Sequence, residues 1–81
     1  MLQALEAAGT LDETPIVFAS DHGDALGDHG LSYKAFFYDC MVHVPLLIRG
    51  PGVPAGQRSP ALVSTLDLVP LFYRACDAAT W

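Results

Sequence analysis

Thr14-Pro15-Ile16-Val17-Phe18-Ala19-Ser20 runs directly into Asp21-His22-Gly23-Asp24. The centre of the first stretch is apolar without alternation, which marks a strand covered on both faces, as in the parallel sheets of α/β proteins. Pro15 stands at its start, where a missing N–H costs least. The second stretch opens a segment of another kind. Between Asp21 and Asp39 the chain places three of its seven glycines, two of its three histidines, four aspartates and its single lysine. A polar, glycine-punctuated loop on the carboxyl end of an apolar strand is where α/β proteins place ligands.

Upstream, Leu2, Ala4, Leu5 and Ala8 recur at helical spacing and Gly9 follows as a C′ residue, predicting a helix over Leu2–Ala8. Thr10–Glu13 is a connector. Downstream, Met41–Arg49 reads as a second strand, with Pro45 implying an edge or a bulge. Gly50–Gly56 is a turn-rich loop and Ser59–Ser64 an extended piece. Leu68, Leu71, Phe72 and Ala75 share one helical face, predicting a helix within Leu66–Ala75. Pro70 belongs in its first turn, so Asp67 is the favoured N-cap; Ser64, completing a capping box with Asp67, is the alternative. The expected class is α/β, with both strands built for neighbours.

The chain has 81 residues, 52% hydrophobic and 16% charged, with a net charge of −5. That composition is globular, since disorder needs low hydrophobicity with high charge. The acidic balance argues against a nucleic-acid partner, which needs a basic patch. The longest apolar run, near Val44–Ile48, is strand-sized and predicts no membrane insertion. The N-terminus lacks the basic and apolar regions of a signal peptide. A chain this short buries only about 60% of its unfolded surface. An interior-like composition is therefore out of proportion to the length. Cys40 and Cys76 fit no metal-binding spacing and are expected as free buried thiols, a disulfide being the alternative.

Asp21 and His22 are the densest site candidates. Adjacent strand residues point to opposite faces, so both serve one site only if the chain turns at once, and Gly23 tolerates the φ > 0 such a turn can need. A carboxylate oxygen with an imidazole nitrogen is a mixed ligand set for a divalent cation. A solvated loop with an Asx-turn at Asp21 is the competing reading. Gly27-Asp28-His29-Gly30 is either a second ligand pair or a tight turn lining a rim. Lys34, among Tyr33, Phe36, Phe37 and Tyr38, is either an oxyanion-binding point charge or a snorkelling surface lysine. His43 is expected as a satisfied core or edge histidine, and Arg49 and Arg58 as solvated. No nucleophile elbow, phosphate-binding loop, dinucleotide fingerprint or His-Glu-x-x-His zinc motif is present.

The run Ile16-Val17-Phe18-Ala19-Ser20-Asp21-His22-Gly23-Asp24-Ala25-Leu26-Gly27-Asp28-His29-Gly30-Leu31, then Tyr33-Lys34, then Val44-Pro45-Leu46-Leu47-Ile48-Arg49-Gly50-Pro51-Gly52, resembles the type I sulfatases of the alkaline phosphatase superfamily. Val63-Ser64-Thr65-Leu66-Asp67-Leu68-Val69-Pro70 is similar to a later segment of the same family. The resemblance implies an alkaline-phosphatase-like α/β domain with a mixed or mostly parallel sheet covered by helices. It implies that residues 1–81 are the C-terminal part of such a catalytic domain rather than a complete one. Asp21 and His22 match metal ligands, the ion being Ca²⁺, with Mn²⁺ or Mg²⁺ as alternatives. Lys34 matches the catalytic lysine that contacts the transferred sulfate, and His29 is expected beside it as a substrate contact. The implied reaction is hydrolysis of a sulfate ester on a small molecule or glycan.

The family's nucleophile is a formylglycine made within Cys/Ser-x-Pro/Ala-x-Arg. Cys40 is followed at those offsets by Val42 and Val44, and Cys76 by Ala78 and Thr80, so neither matches. The nucleophile is expected upstream, and the 81 residues alone are expected to be inactive. Leu71 stands where the family usually has Thr, and the tail after Ala75 departs from the pattern. A phosphonate monoester or phosphodiester hydrolase of the same superfamily is the alternative activity. A non-catalytic truncated fragment is the alternative of another class.

Overall fold

A computed structural model describes residues 1–77. Residues 78–81 lie outside the described residues. The elements follow the order α1 (Leu2–Ala7), β1 (Ile16–Ala19), α2 (Asp39–Val42), β2 (Leu46–Arg49) and α3 (Leu68–Asp77), with 3-10 turns at Asp28–Gly30 and Thr65–Asp67.

α1 ends as its sequence directs. Gly9 takes φ +69°, which lets its N–H reach the Glu6 carbonyl and the Thr10 N–H reach the Leu5 carbonyl, each at 3.0 Å. That pair of bonds is a Schellman closure, available because glycine carries no Cβ penalty at positive φ.

β1 and β2 pair antiparallel, Ile16 opposite Arg49 and Ala19 opposite Leu46. The expected sheet, mixed or mostly parallel and covered by helices, is represented among the described residues by this antiparallel pair alone, and no helix lies across its faces. The reason is the path between the strands. Residues 20–45 leave and re-enter the sheet at the same end, whereas a parallel pair needs a crossover along the whole strand. The Gly23 N–H donates to the Met41 carbonyl at 2.7 Å, closing that return.

The second strand is shorter than the sequence predicts. Asp39–Val42 is a helical turn, and β2 begins after Pro45, so the proline needs no bulge. His43, expected in an apolar strand, instead caps α2, donating its backbone N–H to the Asp39 carbonyl at 2.9 Å, and its side chain is exposed.

The start of the last helix also differs from the favoured expectation. Ser64, not Asp67, is the N-cap. Its Oγ accepts from the Leu66 N–H at 3.3 Å, and the Asp67 carboxylate accepts from the Ser64 N–H at 2.7 Å. The helix opens as a 3-10 turn over Thr65–Asp67, which leaves Pro70 in the first turn of α3 proper. The proline's clash with the carbonyl four residues back is thereby met by the tighter turn.

The apolar side chains have little to bury against. The buried hydrophobic residues among those described are Ala25 and Met41, at 2% and 3% exposure. The accessible surface is 7138 Å², against about 4,700 Å² for a compact chain of this mass. The radius of gyration is 16.2 Å, against about 12 Å for a compact chain of this length. The predicted apolar face of α3 is only partly covered: Leu68 and Leu71 are half-buried, and Phe72 is exposed. No helix among the described residues is long and apolar enough to cross a membrane.

Candidate functional site

β1 delivers Ser20, Asp21 and His22 to one end of the sheet, and the chain turns there immediately. The Ser20 hydroxyl donates to the His22 carbonyl at 2.7 Å, and the His22 N–H donates to Asp21 Oδ1 at 2.9 Å. The turn does not use positive φ at Gly23, contrary to the expectation from sequence. Gly23 is required there by space. A Cβ at that position would collide with the Cys40 carbonyl. The Asx-turn also falls elsewhere: Asp24 Oδ1, not the Asp21 carboxylate, accepts from the N–H two residues on, that of Leu26, at 3.2 Å. Asp21 Oδ2 is thus left facing the His22 ring, 3.5 Å from Nε2.

The imidazole has a defined tautomer. Its Nδ1 lies 2.7 Å from the Gly23 carbonyl and its Nε2 lies 2.6 Å from Lys34 Nζ. A carbonyl only accepts and an ammonium only donates, so Nδ1 carries the proton and Nε2 offers its lone pair. A backbone carbonyl holding one ring nitrogen while the other is free to bind is the usual support of a metal-ligating histidine. Lys34 is exposed, and its Nζ is directed to the imidazole. It arrives from 12 residues along the chain to meet the same nitrogen that Asp21 approaches.

Asp21, His22 and Lys34 line an open concavity of about 970 Å³ together with Phe36, Val44 and Leu62. His29 is not among the residues that line it. It lies within the Asp28–Gly30 turn at φ 55° and stacks on Tyr38, with ring centroids 4.0 Å apart and planes 16° apart. Arg49 does not stand alone in solvent: it donates to Asp12 Oδ1 at 2.7 Å and to the Leu11 carbonyl at 3.0 Å, tying the connector to β2. Cys40 is half-buried and unbridged, and Cys76 is exposed on α3 rather than buried.

The donor chemistry suits a divalent cation. Adjacent ligands of one near-octahedral ion stand about 3.0–3.7 Å apart for bonds of about 2.1–2.6 Å. The 3.5 Å between Asp21 Oδ2 and His22 Nε2 falls in that range. No group of three or more His, Cys, Asp or Glu side chains gathers among the described residues. These two would supply part of a donor set.

A family model described as Sulfatase matches residues 1–78. The chain belongs to the sulfatase family. Membership implies an alkaline-phosphatase-like α/β fold. The sulfatase chain is 39% identical to arylsulfatase K of Mus musculus over 70 residues, which are 86% of this chain and 13% of that protein. Against arylsulfatase K of Xenopus laevis the identity is 41%, over 86% of this chain and 13% of the relative. Against the choline-sulfatase of Rhizobium meliloti (strain 1021) it is 41%, over 86% of this chain and 14% of the relative. The chain spans about an eighth of the length of these curated relatives. No solved structure matches it.

Two contributors to this candidate site escape a reading by residue chemistry. The Gly23 carbonyl sets the His22 tautomer, and the Ser20 hydroxyl fixes the His22 backbone. Backbone groups have no sequence signature of their own. The available signal is the uninterrupted Ser-Asp-His-Gly order, in which a small residue follows a ligand candidate.

Proposed function

We propose that this chain forms part of the active site of a metal-dependent sulfuric ester hydrolase. Asp21 Oδ2 and His22 Nε2 would hold a divalent cation, Ca²⁺ first, with Mn²⁺ or Mg²⁺ compatible with the same donors. Such an ion would supply Lewis-acid stabilisation of charge on the sulfuryl oxygens. Lys34 would meet those oxygens as a point charge, and its three N–H donors allow it to serve more than one acceptor. The Gly23 carbonyl keeps the His22 lone pair directed outward throughout. His29, stacked on Tyr38 outside the concavity, would contact only a part of the substrate that extends beyond it.

The observation that carries this reading is the meeting of three chemically distinct groups at one nitrogen: carboxylate at 3.5 Å, imidazole, and ammonium at 2.6 Å. Family membership supports it independently. The nucleophile, a formylglycine from Cys/Ser-x-Pro/Ala-x-Arg, would come from a further segment of a larger catalytic domain, since neither cysteine here fits that motif. The uncovered strand faces agree with a segment that docks within such a domain.

The test is Asp21→Ala in a protein that carries this segment together with the nucleophile motif. Turnover of an aryl sulfate is expected to fall at least about 10²–10³-fold, the scale for losing one electrostatic stabiliser, and metal retention is expected to weaken. Unchanged turnover would overturn the assignment. A faster rate on a phosphonate monoester than on the aryl sulfate would move the reading to the phosphonate hydrolases.

A further inference from the structure

Residues 32–37, which carry Lys34, are exposed and make no backbone–backbone hydrogen bond among the described residues. A side chain that must present its ammonium at one place needs its backbone held, and here the holding falls to aromatic rings. Tyr38 ends the segment. Its carbonyl accepts from the N–H groups of Met41 at 2.8 Å and Val42 at 3.1 Å, which fixes its backbone to α2. Its ring stacks on His29 with centroids 4.0 Å apart and meets Phe36 in a tilted contact at 6.2 Å. Lys34 and Phe36 line the concavity, whereas His29 and Tyr38 do not. We infer that His29 and Tyr38 are positioning residues for Lys34: their stack clamps the segment that carries the lysine and so sets where its ammonium stands. This rests on the reading of Lys34 as a sulfate contact and adds what holds it in place.

The backbone of His29 points the same way. Its φ of 55° lies in the left-handed region, between Gly27 at 104° and Gly30 at 71°. Glycine adopts that conformation without strain, and a residue with a Cβ does not. What histidine brings to the position is therefore its ring, and the ring lies flat on Tyr38 with the planes 16° apart. The turn beneath it is itself held. The Asp28 N–H donates to the Ala25 carbonyl and the Gly27 N–H to the Leu31 carbonyl, each at 2.8 Å, and Ala25 is buried. The stack thus ties the lysine segment to the small core of the loop, by way of Ala25, Asp28, His29 and Tyr38. Stacked rings fix orientation as well as distance, because tilting or sliding either one loses the contact.

The experiment uses a protein that carries this segment together with the nucleophile motif and measures kcat/KM on an aryl sulfate. Tyr38→Ala, Tyr38→Phe and His29→Asn are each made with Lys34 in place and again with Lys34→Ala. Asparagine tolerates a left-handed φ, so His29→Asn removes the ring and keeps the turn. Lys34→Ala alone is expected to lower kcat/KM by about 10²–10³-fold. With Lys34 in place, Tyr38→Ala and His29→Asn are each expected to lower it about tenfold, as for a lost aromatic pair that misplaces a reacting group. Tyr38→Phe keeps the ring and is expected to stay within about twofold of wild type. In the Lys34→Ala background neither ring variant is expected to cost anything more, because a residue that acts through Lys34 has nothing left to position. A further loss of about tenfold in that background would overturn the inference, since general destabilisation or direct substrate contact by His29 persists without the lysine. Ring variants that match wild type while Lys34→Ala is defective would also overturn it, and would leave the assignment of Lys34 standing. Lys34→Ala with wild-type turnover would remove that assignment and the inference with it.

Discussion

The loop after β1 and the strand pair that carries it reverse the usual division of labour. In a compact α/β domain the strands are buried and the loops exposed. Here the buried residues among those described, Ala25 and Met41, lie at the loop and its return helix, while Phe18 and Leu47, opposite each other in the ladder, are 60% and 63% exposed. The loop is held by its own contacts: Gly23 to Met41, His22 to Gly23, Lys34 to His22. The strands have their ladder and no cover. Site geometry in this segment is therefore a local property, and the stability of its sheet is not.

Three changes press on that contrast. The largest effect is expected from Gly23→Ala. The added Cβ meets the Cys40 carbonyl, a backbone atom that cannot rotate aside. Protection of the residue 23 amide from hydrogen exchange is expected to drop by about one to two decades, as for an overpacked site. Gly52→Ala meets no atom but is strained by its φ of +76°; lying beyond the other end of β2, it is the control and must leave that protection unchanged. Equal effects of the two would mean that the loop is not independently held.

The second change concerns the strands. Their exposed apolar faces and unpaired edges predict association of the isolated chain. Phe18→Ser with Leu47→Ser is expected to shift sedimentation from large species toward monomer without loosening the Gly23 amide. A wild-type chain that stays monomeric and melts cooperatively would contradict this expectation. The smallest effect belongs to the last helix. Ser64→Ala removes an N-cap acceptor and is expected to weaken α3 by about 1 kcal/mol, read as lost helical ellipticity. A change in the ¹³C side-chain resonance of Lys34, the sole lysine, on that substitution would show that the helix and the site are coupled.

Much of the molecule is legible in the order of its residues. α1 and its Gly9 closure follow from spacing and a glycine at the right place. β1 lies inside the predicted Thr14–Ser20 run, trimmed where Ser20 turns to bond His22. The misreadings share a cause. Met41–Val44 has strand composition, yet Asp39–Val42 folds as a helical turn because the return path needs Met41 to meet Gly23 and fill the loop's small core. Ser64 replaces Asp67 as the cap because a 3-10 turn, which periodicity cannot register, absorbs the proline. Gly23 offers backbone freedom on paper and is needed for its missing side chain.

The sequence by itself determined the order of α1, β1, β2 and α3, the sulfatase membership and the residue types at the candidate site, since these depend on neighbours along the chain and on side-chain chemistry. Only the tertiary structure decided that the strands run antiparallel, that His22 presents Nε2 rather than Nδ1, that Lys34 is its partner, and that His29 turns instead to Tyr38. Each of these depends on distances between residues that the backbone path, not their spacing in sequence, brings together. Antiparallel pairing followed from a loop returning to the end it left. The tautomer followed from a carbonyl and an ammonium on opposite sides of one ring, and neither is visible until the chain has folded around it.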